Sequence, residues 1–255
     1  MTIEQFKERN GYEIEGMWLP RVTAIVAMGS FVGAGGNSFW SRTAFRNAAE
    51  WGTITHEAVG QIVCGRACKI AAHIAISIHA FRQWYKANPF GVESYETAVE
   101  RRVFDPKNLY AGTIDMLANV AGEYGVIDVK TSTAIRKEHA LQTAAYLNAY
   151  QQTAQGGAQY TKRWILRIDQ YQECRGCFAK RREKYGRAMT SGGKQICNHQ
   201  WSQARGEVEF KEQENFEGDL EKFLDQKERW EQKNGAFLSR ISNYPKNIKQ
   251  VSLFS

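Results

Sequence analysis

The stretch GTIDMLANVAGEYGVIDVKTS (112–132) constrains the fold of this 255-residue chain more than any other. Two apolar runs joined by a turn at Ala121 and Gly122 predict a β-hairpin, yet each run carries a carboxylate where a buried strand ordinarily carries none. In a strand, residues two apart share a face, so Asp128 and Lys130 point together while Ile127 and Val129 point the other way. With the turn centred on Ala121 and Gly122, Asp115 falls opposite Asp128, and directly opposed side chains lie about 4.5–5.5 Å apart at Cβ. Two like charges that close in a half-buried sheet either push one pKa up or require a cation between them. Oxygen donors with room left for water suit Mg²⁺ or Mn²⁺, ions that act on phosphate esters. Lys130 is then a charge partner for a scissile phosphate or an attacking hydroxide. The same short D-x-K spacing also fits a hairpin with solvated charges, and the spacing alone does not separate the two.

The rest of the chain supports a globular host for that hairpin. The apolar share is 43% and aromatic residues are spread evenly, which excludes a disordered chain and predicts one domain over residues 1–255. MTIEQFKERNGYEIEG lacks a basic-then-apolar signal pattern, and no stretch reaches the roughly 20 apolar residues of a spanning helix. A soluble cytoplasmic protein without a membrane partner is expected. The net charge of +7 points mildly to acidic partners, although clustering of charge matters more than its total. Five unevenly placed cysteines, odd in number, suggest metal or core use and not disulfides.

Strand and helix signals interleave, which predicts an α/β fold. WLPRVTAIV (18–26) reads as extended, SFVGAGGNS (30–38) as a Gly-rich loop, and 39–50 as helical. Thr53 is a candidate N-cap for a helix through HEAVGQIVCGRACKIAAHIA, with Val59, Val63, Ala67 and Ile70 on its apolar face and His56 on the same face. Helix continues over 72–87, and SYETAVERRVF (94–104) leads into the hairpin. A helix from about Glu138 to Tyr150 follows, then strands at 162–171 and 207–212. A final amphipathic helix carries Phe216, Leu220, Phe223, Leu224, Lys227 and Trp230 as one stripe.

These residues resemble a known family. GTID, then IDVKTS, then QTAAY are similar to the catalytic signature of the PD-(D/E)XK nuclease superfamily, specifically its RecB-like exonuclease branch. WGTITHEAV (51–59) resembles that branch's Gly-x-x-x-His helix, and Gln142 with Tyr146 its Gln-x-x-x-Tyr motif. The order and intervals agree from about residue 18 to 170. The resemblance implies that His56, Asp115, Asp128 and the Val129 carbonyl bind the catalytic metal, that Lys130 assists catalysis with Asp115 and Asp128, and that an activated water attacks the phosphate. It also makes Gln142 and Tyr146 candidates for orienting the site and contacting DNA. Each residue has a plainer reading. A histidine on an apolar helix face is often a hydrogen-bonded core residue, Tyr146 could be core, and Glu57 is a rival ligand on a different helix face. Glu100 stands where the family often carries an acid, and a structural role is expected for it. Cys64 and Cys68 read as small buried residues.

Between the late strands, residues 172–206 form an insertion. Cys174, Cys177, Cys197 and His199 follow C-x-x-C, nineteen residues, C-x-H, a spacing that suits a structural Zn²⁺ remote from the hairpin, because each pair supplies adjacent corners of a tetrahedron. An iron–sulfur cluster, which some family members hold on one early and three late cysteines, is disfavoured. No cysteine precedes residue 64 and the last ligand is His. Lys180, Arg181, Arg182, Lys184 and Arg187, with Phe178 and Tyr185 among them, suit single-stranded nucleic acid by phosphate contact and base stacking, or else form a solvated loop.

The expected fold is restriction-endonuclease-like, a central mixed sheet flanked by helices with a small zinc-knuckle insertion. The expected function is metal-dependent hydrolysis of DNA phosphodiesters, favouring exonuclease action on single-stranded or frayed ends. The rivals are a catalytically idle nucleic-acid-binding member of the fold, against which intact Asp115, Asp128 and Lys130 argue, and a zinc-containing adaptor with a purely structural sheet. Helicase, recombination or CRISPR partner proteins are not readable from the chain.

Overall fold

The computed structural model describes residues 1–30, 39–154, 157–184 and 188–246, so the Gly-rich segment 31–38 lies outside the described residues. Helix α1 (Ile3–Asn10) starts at a capping box in which the Thr2 hydroxyl accepts from the Gln5 N–H and the Gln5 side chain accepts from the Thr2 N–H. These bonds satisfy donors that a first helical turn leaves open. Strands β1 (Gly11–Ile14) and β2 (Met17–Pro20) then pair as a small hairpin. The extended reading of 18–26 holds only to Pro20. Helix α2 (Val22–Ser30) follows, because Val22, Ile25 and Val26 recur at helical spacing and bury one face in the core.

Helix α3 (Phe39–Val63) is continuous, so Thr53 is no N-cap. It sits inside the helix with its hydroxyl donating to the Ala49 carbonyl at 3.1 Å. Nor does this helix run on through residues 64–75. Gly65 adopts φ +67°, its N–H donates to the Ile62 carbonyl and the Arg66 N–H donates to that of Gln61, a glycine-terminated end that closes the last turn. A 3₁₀ turn (Ala72–Ile74) leads to α4 (Ala75–Ala87) and the short α5 (Tyr95–Ala98).

The main sheet begins at β3 (Val99–Asp105), a strand that the sequence reading merges into the approach to the hairpin. β4 (Tyr110–Val120) and β5 (Glu123–Lys130) form the expected hairpin, Met116 opposite Ile127. Helix α6 (Lys137–Thr153) crosses to β6 (Lys162–Glu173), which runs parallel to β5. Parallel pairing buries β5 on both faces, and Val126 to Val129 are all buried. The hairpin β7 (Lys180–Glu183) and β8 (Ala188–Ser191) comes next. It is followed by β9 (Arg205–Glu212), antiparallel to β6, then α7 (Phe216–Lys233) and α8 (Gly235–Leu238). The strand order is β3-β4-β5-β6-β7-β8, with β9 also on β6.

Helices cover both faces. On one, Val22, Ile25, Tyr146, Leu147, Phe223 and Trp230 pack with Val103, Tyr110 and Val126. On the other, Trp51, Val59, Ile78 and Phe81 pack with Ile127, Val129, Trp164 and Leu166. This is the mixed α/β sheet flanked by helices that the sequence predicts. Among the described residues no helix is long and apolar enough to cross a membrane.

Candidate active site

Asp115 stands where β4 slips out of alternation. Ile114 and Leu117 lie in the cluster under α6, whereas Met116 and Ala118 lie in the cluster under α3 and α4. A regular strand would send Ile114 and Met116 to the same face. The neighbouring strand is irregular at the same level: Val99 and Arg101 pair with Met116 and Ile114, and Glu100 between them takes φ +51°. The β4–β5 ladder ends at Met116 and Ile127, and beyond it the Asp115 Oδ2 accepts the Val129 N–H at 2.6 Å. A side-chain carboxylate has taken the place of a backbone acceptor, which fixes its orientation.

Six side chains from four elements meet at this break. His56 on α3 brings Nδ1 to 3.4 Å from Asp115 Oδ1. Asp128, 1% exposed, lies with its Oδ2 2.6 Å from Lys130 Nζ, as the two-residue spacing predicts. From α6, Gln142 Nε2 donates to Asp128 Oδ1 at 3.0 Å and to the Tyr146 hydroxyl at 2.8 Å. The Tyr146 ring fits over Gly112, where a Cβ would lie only 2.3 Å from the ring. Gln142 and Tyr146 are both buried. They act here as the props of Asp128 and not as an exposed surface.

The two aspartates titrate apart. Burial drives the Asp128 pKa up to about 6; the Lys130 ammonium pulls against it and the Asp115 charge adds to it. Burial also opposes ionisation of Asp115, but His56 and Lys130 together outweigh it and hold this carboxylate below its ordinary value. For His56, burial disfavours the imidazolium and the Asp115 carboxylate more than restores it, so its pKa rises. Like charges sharing one spot have been separated into an ionised member and a reluctant one.

The sequence reading understates Glu100. Its carboxylate, His56 and Asp115 each place one donor atom within 4.8 Å of the others. The left-handed backbone at Glu100 belongs to that placement. The only signal in the sequence was the acid at that position. A cleft of about 440 Å³ opens onto His56, Asp115 and Glu100 and is also lined by Glu57 and Tyr95. Glu57, the rival ligand, instead accepts from Gln61 Nε2 at 3.1 Å and stands outside the donor group.

The profile of the PD-(D/E)XK nuclease superfamily matches residues 39–246. The chain belongs to this superfamily. Among curated proteins no significant match is found.

PD-(D/E)XK nucleases use divalent metals, and the residues present suit one. His56, Glu100 and Asp115 offer an imidazole and hard oxygens at mutual distances a single ion can span. Asp128 Oδ2 is buried with the Lys130 ammonium 2.6 Å away, and Asp128 stands outside that three-residue group.

A second donor group lies in the insertion of this PD-(D/E)XK chain. Cys174, Cys177, Cys197 and His199 come within 4.8 Å of one another. Cys174 and Cys197 sulfurs are 3.8 Å apart, and Cys177 Sγ lies 3.4 Å from His199 Nδ1. The edge of a zinc tetrahedron with Zn–S near 2.3 Å is about 3.8 Å, so the set could hold Zn²⁺. Backbone N–H groups of Lys194 and Ala179 point at Cys177 and lower its thiol pKa. The knuckle is closed by the Phe178 N–H donating to the Cys174 carbonyl and the Cys174 N–H donating to that of Ala179.

The hairpin between the two Cys/His pairs reaches the chain just past the end of β5. Ser202 occupies both the N–H and the carbonyl of Glu173 on the β9 side, so β7 pairs with Gln172 and Glu173 on the edge that β5 vacates after Lys130. Lys184 donates to the carbonyl of Thr131, the residue after Lys130, and lies 3.5 Å from Asp169. Arg182 is buried, donating to Asp169 at 2.8 Å and to Ser191 at 3.1 Å. It braces the hairpin and has no free guanidinium to present. Lys180 is half-buried over the Tyr171 ring, and Arg181 lies 3.7 Å from Glu183. Tyr185 and Arg187 lie outside the described residues.

Proposed function

We propose that the protein is a metal-dependent deoxyribonuclease of the RecB-like branch, an exonuclease acting on single-stranded or frayed DNA ends. In this reading residues 1–255 form one nuclease domain and 172–206 an inserted zinc knuckle. The observation that carries the reading is the convergence of His56, Asp115, Asp128 and Lys130 on one break in the sheet, with the pKa values of the two aspartates driven apart.

His56, Asp115 and Asp128, with the Val129 carbonyl, would hold Mg²⁺ or Mn²⁺, and Glu100 joins them as a candidate. Such an ion, when bound, acidifies water and offsets phosphate charge. The chain's own groups supply the rest. The Val129 N–H fixes Asp115. Gln142 and Tyr146 fix Asp128. Lys130 is held by Asp128 with its ammonium beside the site, where it stabilises negative charge growing on the phosphate oxygens.

The test is degradation of end-labelled DNA. Asp115→Asn and Asp128→Asn should each abolish cleavage while circular dichroism shows the fold intact. Lys130→Ala should lose at least about a hundredfold in rate yet keep calorimetric Mn²⁺ binding, because an ammonium is not a ligand. Full activity in either aspartate variant overturns the assignment, and blocked ends that leave the rate unchanged overturn the exonuclease mode.

A further inference from the structure

Phe178 follows the second cysteine of the C-x-x-C turn, and its backbone takes φ +59°. That is the left-handed region, which costs any residue with a Cβ and suits glycine. A bulky aromatic there is an outlier, and such outliers concentrate at functional sites. The ring gains nothing from burial, since Phe178 is 73% exposed. It lines a cavity of about 320 Å³ together with Arg175, Arg205, Ser202 and Gln203. Arg175 is exposed, and no carboxylate among the described residues pairs with it. Arg205 is anchored by the Tyr171 hydroxyl and Glu173 and keeps 56% of its side chain in solvent. The cavity therefore combines a flat apolar face, two cations and amide and hydroxyl groups, at the mouth of the insertion whose hairpin reaches Thr131.

We infer that this cavity binds one unpaired nucleotide of the DNA, its base stacked on Phe178 and its phosphate on Arg175 and Arg205. The inference deepens the nuclease reading and rests on it for the class of ligand. Charge selects the occupant: two arginines against the single Glu173 favour a phosphate ester over an acidic-poor protein surface. Base stacking on an aromatic ring is tolerant of sequence, which suits an enzyme that handles ends of any composition. The strained backbone holds the ring outward, so the face is presented before DNA arrives and little ordering entropy remains to be lost on binding.

The experiment measures binding of a fluorescent single-stranded oligothymidylate and of a blunt duplex by the zinc-loaded protein without added Mg²⁺ or Mn²⁺, so that nothing is cleaved. Phe178→Gly removes the ring and relaxes the backbone, so its melting temperature should equal or exceed that of the parent. Its affinity for the single strand should fall about tenfold, the size of one base–aromatic stack, with the duplex affected less. Phe178→Tyr should restore affinity. Arg175→Ala should flatten the log–log salt dependence by about 0.7, one phosphate contact on a single strand. Unchanged single-strand affinity in Phe178→Gly overturns the inference, as does an equal loss on both substrates. Unchanged DNA binding with lost self-association in light scattering would place the ring in a protein interface, and also overturns it. The two readings fail separately. Cleavage that is indifferent to Phe178 sinks the pocket alone, whereas Phe178-dependent binding by a parent protein that never cleaves sinks the nuclease reading alone.

Discussion

Asp128 is the residue on which the most physics converges. Folded, its carboxyl keeps a proton up to about pH 6, whereas unfolded it loses it near pH 4. A folded pKa above the unfolded one contributes stability that is present below about pH 4 and lost as pH rises through about 6. Asparagine keeps the neutral form at every pH. Metal-free Asp128→Asn should therefore melt higher than the parent at pH 8, by at most about 3 kcal/mol because Lys130 loses its partner, and equally near pH 4. Thermal melts without added Mg²⁺ or Mn²⁺ check this, and no gain at pH 8 counts against the raised pKa. His56 and Glu100 make a second residue-level comparison. His56→Ala and Glu100→Gln should each weaken Mn²⁺ binding about tenfold or more, whereas Glu57→Ala should change it little. Calorimetry giving the reverse order would move the ligand to Glu57. The place of Glu100 beside His56 and Asp115 was hidden from the sequence because a left-handed residue in a strand leaves no pattern; the histidine and the two aspartates were legible because their motifs fall at fixed spacings.

At the level of elements, the site depends on α6 sitting close to β4. Gly112 permits this, since a Cβ there would lie 2.3 Å from the Tyr146 ring. Gly112→Ala should cost about 1–3 kcal/mol as the helix or ring is pushed aside. It should also lower cleavage by about a hundredfold through displacement of Gln142 from Asp128, since small misplacements near a reacting centre are that costly. A denaturant titration paired with initial rates reads both, and an unchanged rate with lost stability would show that the Gln142 prop is dispensable. The helix ends teach the same lesson. Apolar spacing continues past Val63, so the sequence reading carried α3 onward, but Gly65 in the left-handed region closes it. Thr53 looked like a start signal because its side chain can cap, yet inside a long helix the same hydroxyl bonds back to Ala49.

For the whole molecule, two donor sets of opposite chemistry lie on one sheet. Thiolates and imidazole select zinc while carboxylates select Mg²⁺ or Mn²⁺. Purified protein should carry close to one zinc per chain by elemental analysis, and Cys177→Ser should lose it. The Cys/His pairs flank the hairpin that reaches Thr131 through Lys184, so the same variant should cleave about tenfold more slowly while Mn²⁺ affinity stays within about twofold. Iron in the analysis, or no metal in a well-folded sample, would overturn the zinc assignment.

The hairpin, its turn and the register that sets Met116 opposite Ile127 were legible in the sequence, because side-chain period and turn chemistry are local; beyond that pair the alternation breaks and Asp115 turns to the Val129 N–H. The spacing of the Cys/His group was legible for the same reason, and the mixed α/β class from the interleaving of strand and helix signals. That Glu100 joins His56 and Asp115, that Arg182 faces inward to Asp169, and that β7 lies on the edge vacated by β5 were set by contacts between distant segments. These are outcomes of which strand edge is free and which buried charge lacks a partner. Such balances sum over residues distant in the chain, and no window of sequence contains them.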